Sequence, residues 1–261
     1  MARESKKAAA SKPVRWRLWL GLLVGGAVFV STAMAALKVR DFVRTDPQFN
    51  LSRYQKDSLT VDGVRYASRF KVQHAFAQDF EHSIFAVPLA ERRRRLLAVD
   101  WVEDASISRI WPDRLVVRVK ERTPVAFVYF RAGVLLIDGH GVLLEPPTAA
   151  GVSPHFAFPV LSGVREEEAE SLREERVRAM LRLQEDLGYL AKDISEVNAS
   201  DIENMRIIVK LENRAIELIM GDGNYGHRYQ NFVRHYGEIA KQSPSVKVFD
   251  LRLDDRITAK E

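Results

Sequence analysis

The run with the most chemical content is Gly221-Asp222-Gly223-Asn224-Tyr225-Gly226, a G-x-G-x-x-G pattern between a strand-like segment and a helical one. Such a turn can cradle a pyrophosphate at a helix N-terminus, with an acid on a later strand, here Asp250, to take the ribose. Asp222, however, would set a negative charge beside the pyrophosphate. The preceding elements also read as a hairpin, where a dinucleotide half needs crossovers. The residues therefore predict a glycine-rich strand-to-helix turn with no nucleotide. The six histidines do not converge: His227 and His235 lie about 80° apart around a helix, unlike an i, i+4 metal pair. Asp79, Glu81 and His82 cluster at an expected helix end, where solvated charge is the expectation. Neither G-x-S-x-G nor H-E-x-x-H occurs, and the absence of cysteine removes thiol catalysis, Cys-ligated metal and disulfides. No catalytic residue, metal site or cofactor is expected.

The charges point elsewhere. Net charge is +5 and the pI about 9.4, which would suit nucleic acid. Yet Arg3, Lys6, Lys7, Lys12, Arg15 and Arg17, against Glu4 alone, carry that whole excess in residues 1–17. Residues 18–37 then hold no charge, and a helix of that length spans roughly 30 Å, the thickness of a bilayer's hydrocarbon. Trp16 and Trp19 stand where aromatic rings favour an interface, and the basic excess before the span sets the N-terminus in the cytoplasm. Ala33-Met34-Ala35 offers a signal-peptide cleavage pattern, but the apolar run continues through Ala36 and Leu37, which favours an uncleaved anchor. Either reading exports the remainder and sets nucleic acid aside as a partner.

Residues 38–57 read as a polar tether. Beyond it, residues 58–61 alternate as a strand closed by Asp62-Gly63, and Ser68 is positioned to cap a helix carrying Val72, Ala75, Phe76 and Phe80. Pro88 suits the start of a second helix with Leu89, Leu96 and Leu97 on its buried side. Four successive basic residues, Arg92 to Arg95, cannot share one helix face, so most are expected in solvent. The stretch from Trp101 to Ala126 reads as a hairpin about Trp111-Pro112-Asp113: Ile107 and Arg109 alternate with Ser106, Ser108 and Ile110 along its first strand, and Leu115, Val117 and Val119 with Val116, Arg118 and Lys120 along its second. The hairpin needs helices to cover one side, and Pro124 lets a new unit begin. That unit reads as strands at 125–130, 134–137 and 142–144, a helix with Val177, Met180, Leu181 and Leu187, and a hairpin about Glu212-Asn213-Arg214. A second helix with Tyr229, Phe232 and Tyr236 and a final strand over 246–253 complete it.

Trp101-Val102, Trp111-Pro112, Glu121-Arg122-Thr123-Pro124-Val125-Ala126, the Pro-Val-Leu-Ser-Gly run of 159–163 and the Phe-Asp-Leu-Arg-Leu run of 249–253 make the chain resemble, in order and spacing, the FtsQ/DivIB family of bacterial cell-division proteins. The resemblance implies an α+β fold: one N-terminal transmembrane helix, a βααββ POTRA domain, then a β-rich domain with two flanking helices. On this reading 1–17 is a cytoplasmic tail, 18–37 the membrane helix, 38–57 the tether, 58–123 the POTRA domain, 124–254 the β domain and 255–261 a C-terminal tail. It implies a non-enzymatic, single-pass inner-membrane scaffold at the septum, binding FtsB- and FtsL-type division proteins, with other divisome proteins at the POTRA domain. A POTRA-bearing polypeptide-transport component is the alternative; it calls for a membrane barrel that about 130 residues with two amphipathic helices do not provide. The expected docking site is the last strand, Val246, Val248, Phe249, Asp250, Leu251, Arg252 and Leu253. It lacks proline, alternates Phe249, Leu251 and Leu253 against Val248, Asp250 and Arg252, and would offer a sheet edge. Leu253 stands where the family often has an aromatic.

Overall fold

With no proline between Pro13 and Pro47 and no charge over twenty residues, nothing interrupts the first helix. In the computed structural model, which describes residues 16–147, 156–242 and 244–260, helix α1 runs over Trp16–Thr45, about 45 Å long. The stretch Trp19–Thr45 is long and apolar enough to cross a membrane, and none of its apolar window is buried. The side chains of Arg3, Lys6, Lys7, Lys12, Arg15, Trp16 and Arg17 lie outside the described residues. The expected tether is a correction: α1 passes through Lys38, Arg40 and Arg44 without a break. Pro47 forces Asp46 extended, and the Asp46 carboxylate accepts the Gln48 N–H at 3.0 Å to cap a short 3-10 turn, Pro47–Phe49. Phe49 and Leu51 are then buried.

Next come β1 (Leu59–Asp62), α2 (Arg69–His74), α3 (Leu89–Leu97), β2 (Val102–Ile110) and β3 (Arg114–Glu121), with sheet order β1-β3-β2. Helix α2 starts where expected, its Lys71 N–H donating to the Ser68 hydroxyl at 3.3 Å. It stops at His74, well short of Phe80. Along β3, Leu115, Val117 and Val119 are buried as alternation predicts. Gly63 has φ +81°, and a Cβ there would lie 2.1 Å from the Val119 carbonyl oxygen; only glycine fits that turn. Most of the basic run lies in solvent as expected: Arg93, Arg94 and Arg95 are exposed, Arg93 donating to the Ala105 carbonyl at 2.8 Å and the Asp104 carboxylate at 2.6 Å, while Arg92 is buried. One charge expectation is corrected: Asp79 is buried, where a solvated turn was expected. A basic run covers all sides of its helix, so one member must meet the sheet.

The rest builds on one sheet: β4 (Pro124–Phe130), β5 (Gly133–Asp138), β6 (Leu143–Leu144), β7 (Val160–Ser162), β8 (Ile194–Asn198), β9 (Met205–Leu211), β10 (Arg214–Gly221), β11 (Val248–Leu253) and β12 (Arg256–Lys260). Their order is β12-β11-β10-β9-β8-β7-β4-β5-β6. Helices α4 (Glu170–Leu187) and α5 (Tyr225–Gln242) lay Met180, Leu183, Tyr229 and Phe232 into the same core as Ile207, Val209, Leu218 and Phe249. Helix α5 links β10 to β11, which pair in parallel. The mixed helix-and-strand fold is thus α+β, as expected. Compactness divides the chain into two units. The first holds residues up to Thr60 with Phe76–Glu91 and Ile107–Val117; the second holds Val61–Ala75, Arg92–Ser106 and everything from Arg118.

Within the second unit, the Glu121-Arg122 pair organises its surroundings. Glu121 Oε1 accepts the backbone N–H groups of Arg65, Tyr66 and Ala67 at 2.8, 2.8 and 2.7 Å, holding the loop that leads into α2. Arg122 Nη1 meets Asp138 at 2.7 Å. Asp138 is buried, and its other oxygen takes the N–H groups of His140 and Val142, both at 2.9 Å, which shapes the β5–β6 turn. Trp101, also buried, donates its indole N–H to the Glu145 carbonyl at 2.9 Å and packs on Tyr66.

Two stability predictions follow from these contacts. Arg122→Met, leaving Asp138 buried without its cation, should cost about 3–5 kcal/mol in urea unfolding. Adding Asp138→Asn should recover part of that loss, and strictly additive losses would contradict the pairing. Conversely, the Tyr229 and Tyr236 hydroxyls are buried without a hydrogen-bond partner among the described residues. Burial also pushes the Tyr229 pKa up to about 12. Tyr229→Phe should therefore be neutral or stabilising by about 1 kcal/mol, and a clear loss of stability would show an unseen partner.

Candidate functional site

A sheet that does not close leaves two edges, each with a row of backbone groups lacking a neighbour. Among the described residues the edges are β6, two residues long, and β12, five residues long. Strand β11, the predicted docking strand, is not an edge, which corrects the sequence expectation. It lies between β10, parallel through Glu217↔Val248, Leu218↔Phe249 and Ile219↔Asp250, and β12, antiparallel through Val248↔Lys260, Phe249↔Ala259 and Asp250↔Thr258. The residues 256–260 expected as tail form the outer strand. Asp254-Asp255 turns the chain between them, and Leu253 pairs with Arg256. The signal was present in two acids followed by β-branched Ile257 and Thr258, a turn and then strand formers. The stretch was too short to separate from a tail.

The predicted site residues divide by face. Phe249 and Leu251 are buried, Phe249 with its ring centroid 5.2 Å from Phe232 of α5. They hold the strand rather than meet a partner. Val246 and Val248 are half-buried, Val246 just before β11. Leu253 was expected beside Phe249 and Leu251, but it is 58% exposed. The register shifts between Asp250 and Leu253, and such a bulge breaks the period of two. Asp250 and Arg252 lie on the opposite face, bonded through Arg252 Nη2 at 2.7 Å and Nε at 2.9 Å. Lys260 Nζ of β12 reaches the same carboxylate at 3.3 Å. Arg252's hydrogen bonds hold the Asp250 pKa far below the ordinary carboxylate range, against the opposing effect of burial. This cluster ties β12 to β11.

The turn above the sheet is settled by packing. Gly221 adopts φ +74°, and a Cβ on Gly226 would stand 2.6 Å from the Asp186 carbonyl oxygen, so α5 starts close against the end of α4. The Gly226 N–H donates to the Asp186 carboxylate at 2.9 Å; the start of α5 thus receives an anion from its own chain. Arg228 meets Asp254 at 2.7 Å and donates to the Met220 carbonyl at 2.6 Å, bracing the β11–β12 turn. His227 and His235 are exposed. Among the described residues no three His, Asp or Glu side chains gather to hold a metal.

The architecture is an apolar helix long enough to cross a membrane, then a short three-stranded module with two helices, then a long open sheet. The comparisons with known proteins place it further. Residues 57–122 match the POTRA domain, FtsQ-type, and residues 126–252 match the C-terminal region of the cell division protein FtsQ/DivIB. The chain belongs to the FtsQ/DivIB family of cell-division proteins. It is 36% identical over 205 residues to the cell division protein FtsQ of Koribacter versatilis, covering 77% of this chain and 58% of that relative. It is 29% identical to the FtsQ of Alcanivorax borkumensis, covering 78% and 75%, and 27% identical to that of Novosphingobium aromaticivorans, covering 92% and 68%. The chain thus spans less than two thirds of the Koribacter relative and more of the other two. Strand β12 lies beyond the residues matched to the C-terminal family region.

The charge cluster on β11 yields a pH prediction. The Asp250 pKa is lower in the folded chain than in the unfolded one, so the carboxylate stabilises the fold fully above the unfolded value, about 4, and less as pH falls through the folded value. The parent should therefore melt higher than Asp250→Asn above about pH 5, with the gap narrowing below about pH 4. A gap independent of pH would refute this assignment.

Proposed function

We propose that this protein is a non-enzymatic, single-pass scaffold of the bacterial division complex. Helix α1 anchors it in the inner membrane with the N-terminus cytoplasmic, and the POTRA and β domains stand on the far side, at the septum. The β domain takes FtsB- and FtsL-type division proteins and links them to septal peptidoglycan synthesis, and other divisome proteins meet the POTRA domain. Family membership gives the setting. The observation that carries the mechanism is the outer edge of β12, whose five residues have a neighbour on one side only among the described strands.

A partner segment adding itself as a further strand would gain main-chain hydrogen bonds from β12, and its alternate side chains would meet the sheet's two faces. The docking strand is thereby moved from 246–253 to 256–260, with the earlier residues as its support. Arg256 and Lys260 also guard the edge, since basic residues on an exposed strand discourage pairing between copies of the same chain. A partner strand bearing acidic residues would find them complementary.

Successive residues in a strand point their N–H groups to opposite sides. Of Thr258→Pro and Ala259→Pro, one therefore removes a donor facing β11 and the other a donor facing outward. The outward variant should keep the parent's melting temperature and lose at least tenfold in affinity for an FtsB/FtsL pair, about 1.4 kcal/mol. Parent-like affinity in every variant that stays folded would refute strand addition. Turnover of a cell-wall substrate by the purified protein would overturn the scaffold reading.

A further inference from the structure

The first unit carries an exposed aromatic group that neither strand addition nor the core uses. Phe49 is buried, and three rings surround it. Phe42 of α1 lies 5.8 Å away, edge-on at 84°; Phe85 lies 5.7 Å away at 81°; and Trp111, at the β2–β3 turn, lies 6.1 Å away. The surrounding rings are open to solvent on their outer sides. Trp111 is 69% exposed and Phe42 53%, and Ile110 beside Trp111 is 41% exposed.

The group is fixed to α1. The Ser83 hydroxyl donates to the Val43 carbonyl at 2.8 Å, and the Ile84 N–H donates to the Phe49 carbonyl at 2.9 Å. On β2, the Arg109 guanidinium donates to the carbonyls of Ile84 and Val87 at 2.7 and 2.8 Å. The hairpin tip therefore cannot swing freely from the end of the helix.

We infer that Trp111, Ile110, Phe85 and Phe42 form a platform that sits in the headgroup layer of the bilayer crossed by α1. The inference rests on the reading of α1 as a membrane span. Its position is set by arithmetic along a continuous helix. Phe42 lies five residues past Leu37, the last of the uncharged run, which is about 7.5 Å beyond the hydrocarbon edge. The polar layer is about 5–8 Å deep on each side. Two ring contacts lead from Phe42 to Trp111. Exposed aromatic and apolar side chains are costly in water and favoured at that depth, and Lys38, Arg40 and Arg44 on the same stretch of α1 suit lipid phosphates. Trp19, 68% exposed near the other end of the span, would occupy the opposite interface. The platform would hold the POTRA hairpin against the membrane at a fixed tilt.

The chain has no cysteine, so single labels are unambiguous. Full-length Ile110→Cys, Leu23→Cys and Tyr189→Cys, each carrying an environment-sensitive fluorophore, would be reconstituted in phosphatidylethanolamine–phosphatidylglycerol vesicles. The label at Ile110 should be quenched about twofold or more by lipids bearing a nitroxide near the headgroup, only weakly by a nitroxide at the acyl-chain end, and little by iodide. Tyr189, 77% exposed on the second unit, should respond to iodide alone. Trp111→Ser, at an exposed position, should leave melting unchanged and make the Ile110 label several-fold more accessible to iodide. An Ile110 label that behaves like the Tyr189 label would overturn the inference. So would protection that disappears on diluting the protein in lipid, because a second copy would then be the cover. A Leu23 label not quenched by the chain-end nitroxide would sink the membrane-span reading itself, a separate failure.

Discussion

Backbone pairing across nine strands constrains everything else in the second unit. Each interior strand has a paired neighbour on both sides, and an open sheet must stop somewhere. One end is blunted by making β6 only two residues long. The other ends in β12, pinned to β11 by Lys260 on Asp250 and carried above a core in which Phe249 and Phe232 touch. An edge held in register by a buried neighbour is a rigid template. That rigidity would serve the proposed strand addition, because little ordering of the receptor would then be required on binding.

The motifs that made the family legible have physical work in the fold. Glu121 collects three amides, Arg122 neutralises a buried Asp138, and Trp101 spends its one donor on the Glu145 carbonyl. All three stand at the junction between the short sheet and the long one. The carboxylate takes three backbone amides, the guanidinium pairs a carboxylate that would otherwise be buried alone, and the buried indole finds an acceptor; leaving such groups unpaired is costly. The glycine pattern at the start of α5 belongs with them: Gly221 supplies a left-handed turn, and Gly226 lets α5 approach Asp186.

Reading faces from alternation succeeded where the strand was regular and failed where the ladder was not. Leu115, Val117 and Val119 point inward as their spacing says. Leu253 does not follow Phe249 and Leu251, because a register shift at Asp250 resets the period. Periodicity also missed β7 and β8, three and five residues long, whose few residues cannot display a repeat. Asp79 was expected in water on charge alone, and the basic run did not say which of its members would be buried; burial of an ionic group depends on what packs against it, which no local pattern records.

The sequence alone determined the charge-free span, the cap and turn at Ser68 and Asp62-Gly63, the two amphipathic helices and the order of modules. Each of these is fixed by neighbours within a few residues, through backbone geometry and the match of apolar spacing to helix or strand. Tertiary structure decided which strand is outermost, which charges go inside, and that α1 runs on to Thr45 and joins Phe49 and Trp111 in one aromatic group. Those outcomes depend on contacts between residues far apart in the chain, and a strand carries no mark of whether another will cover its edge.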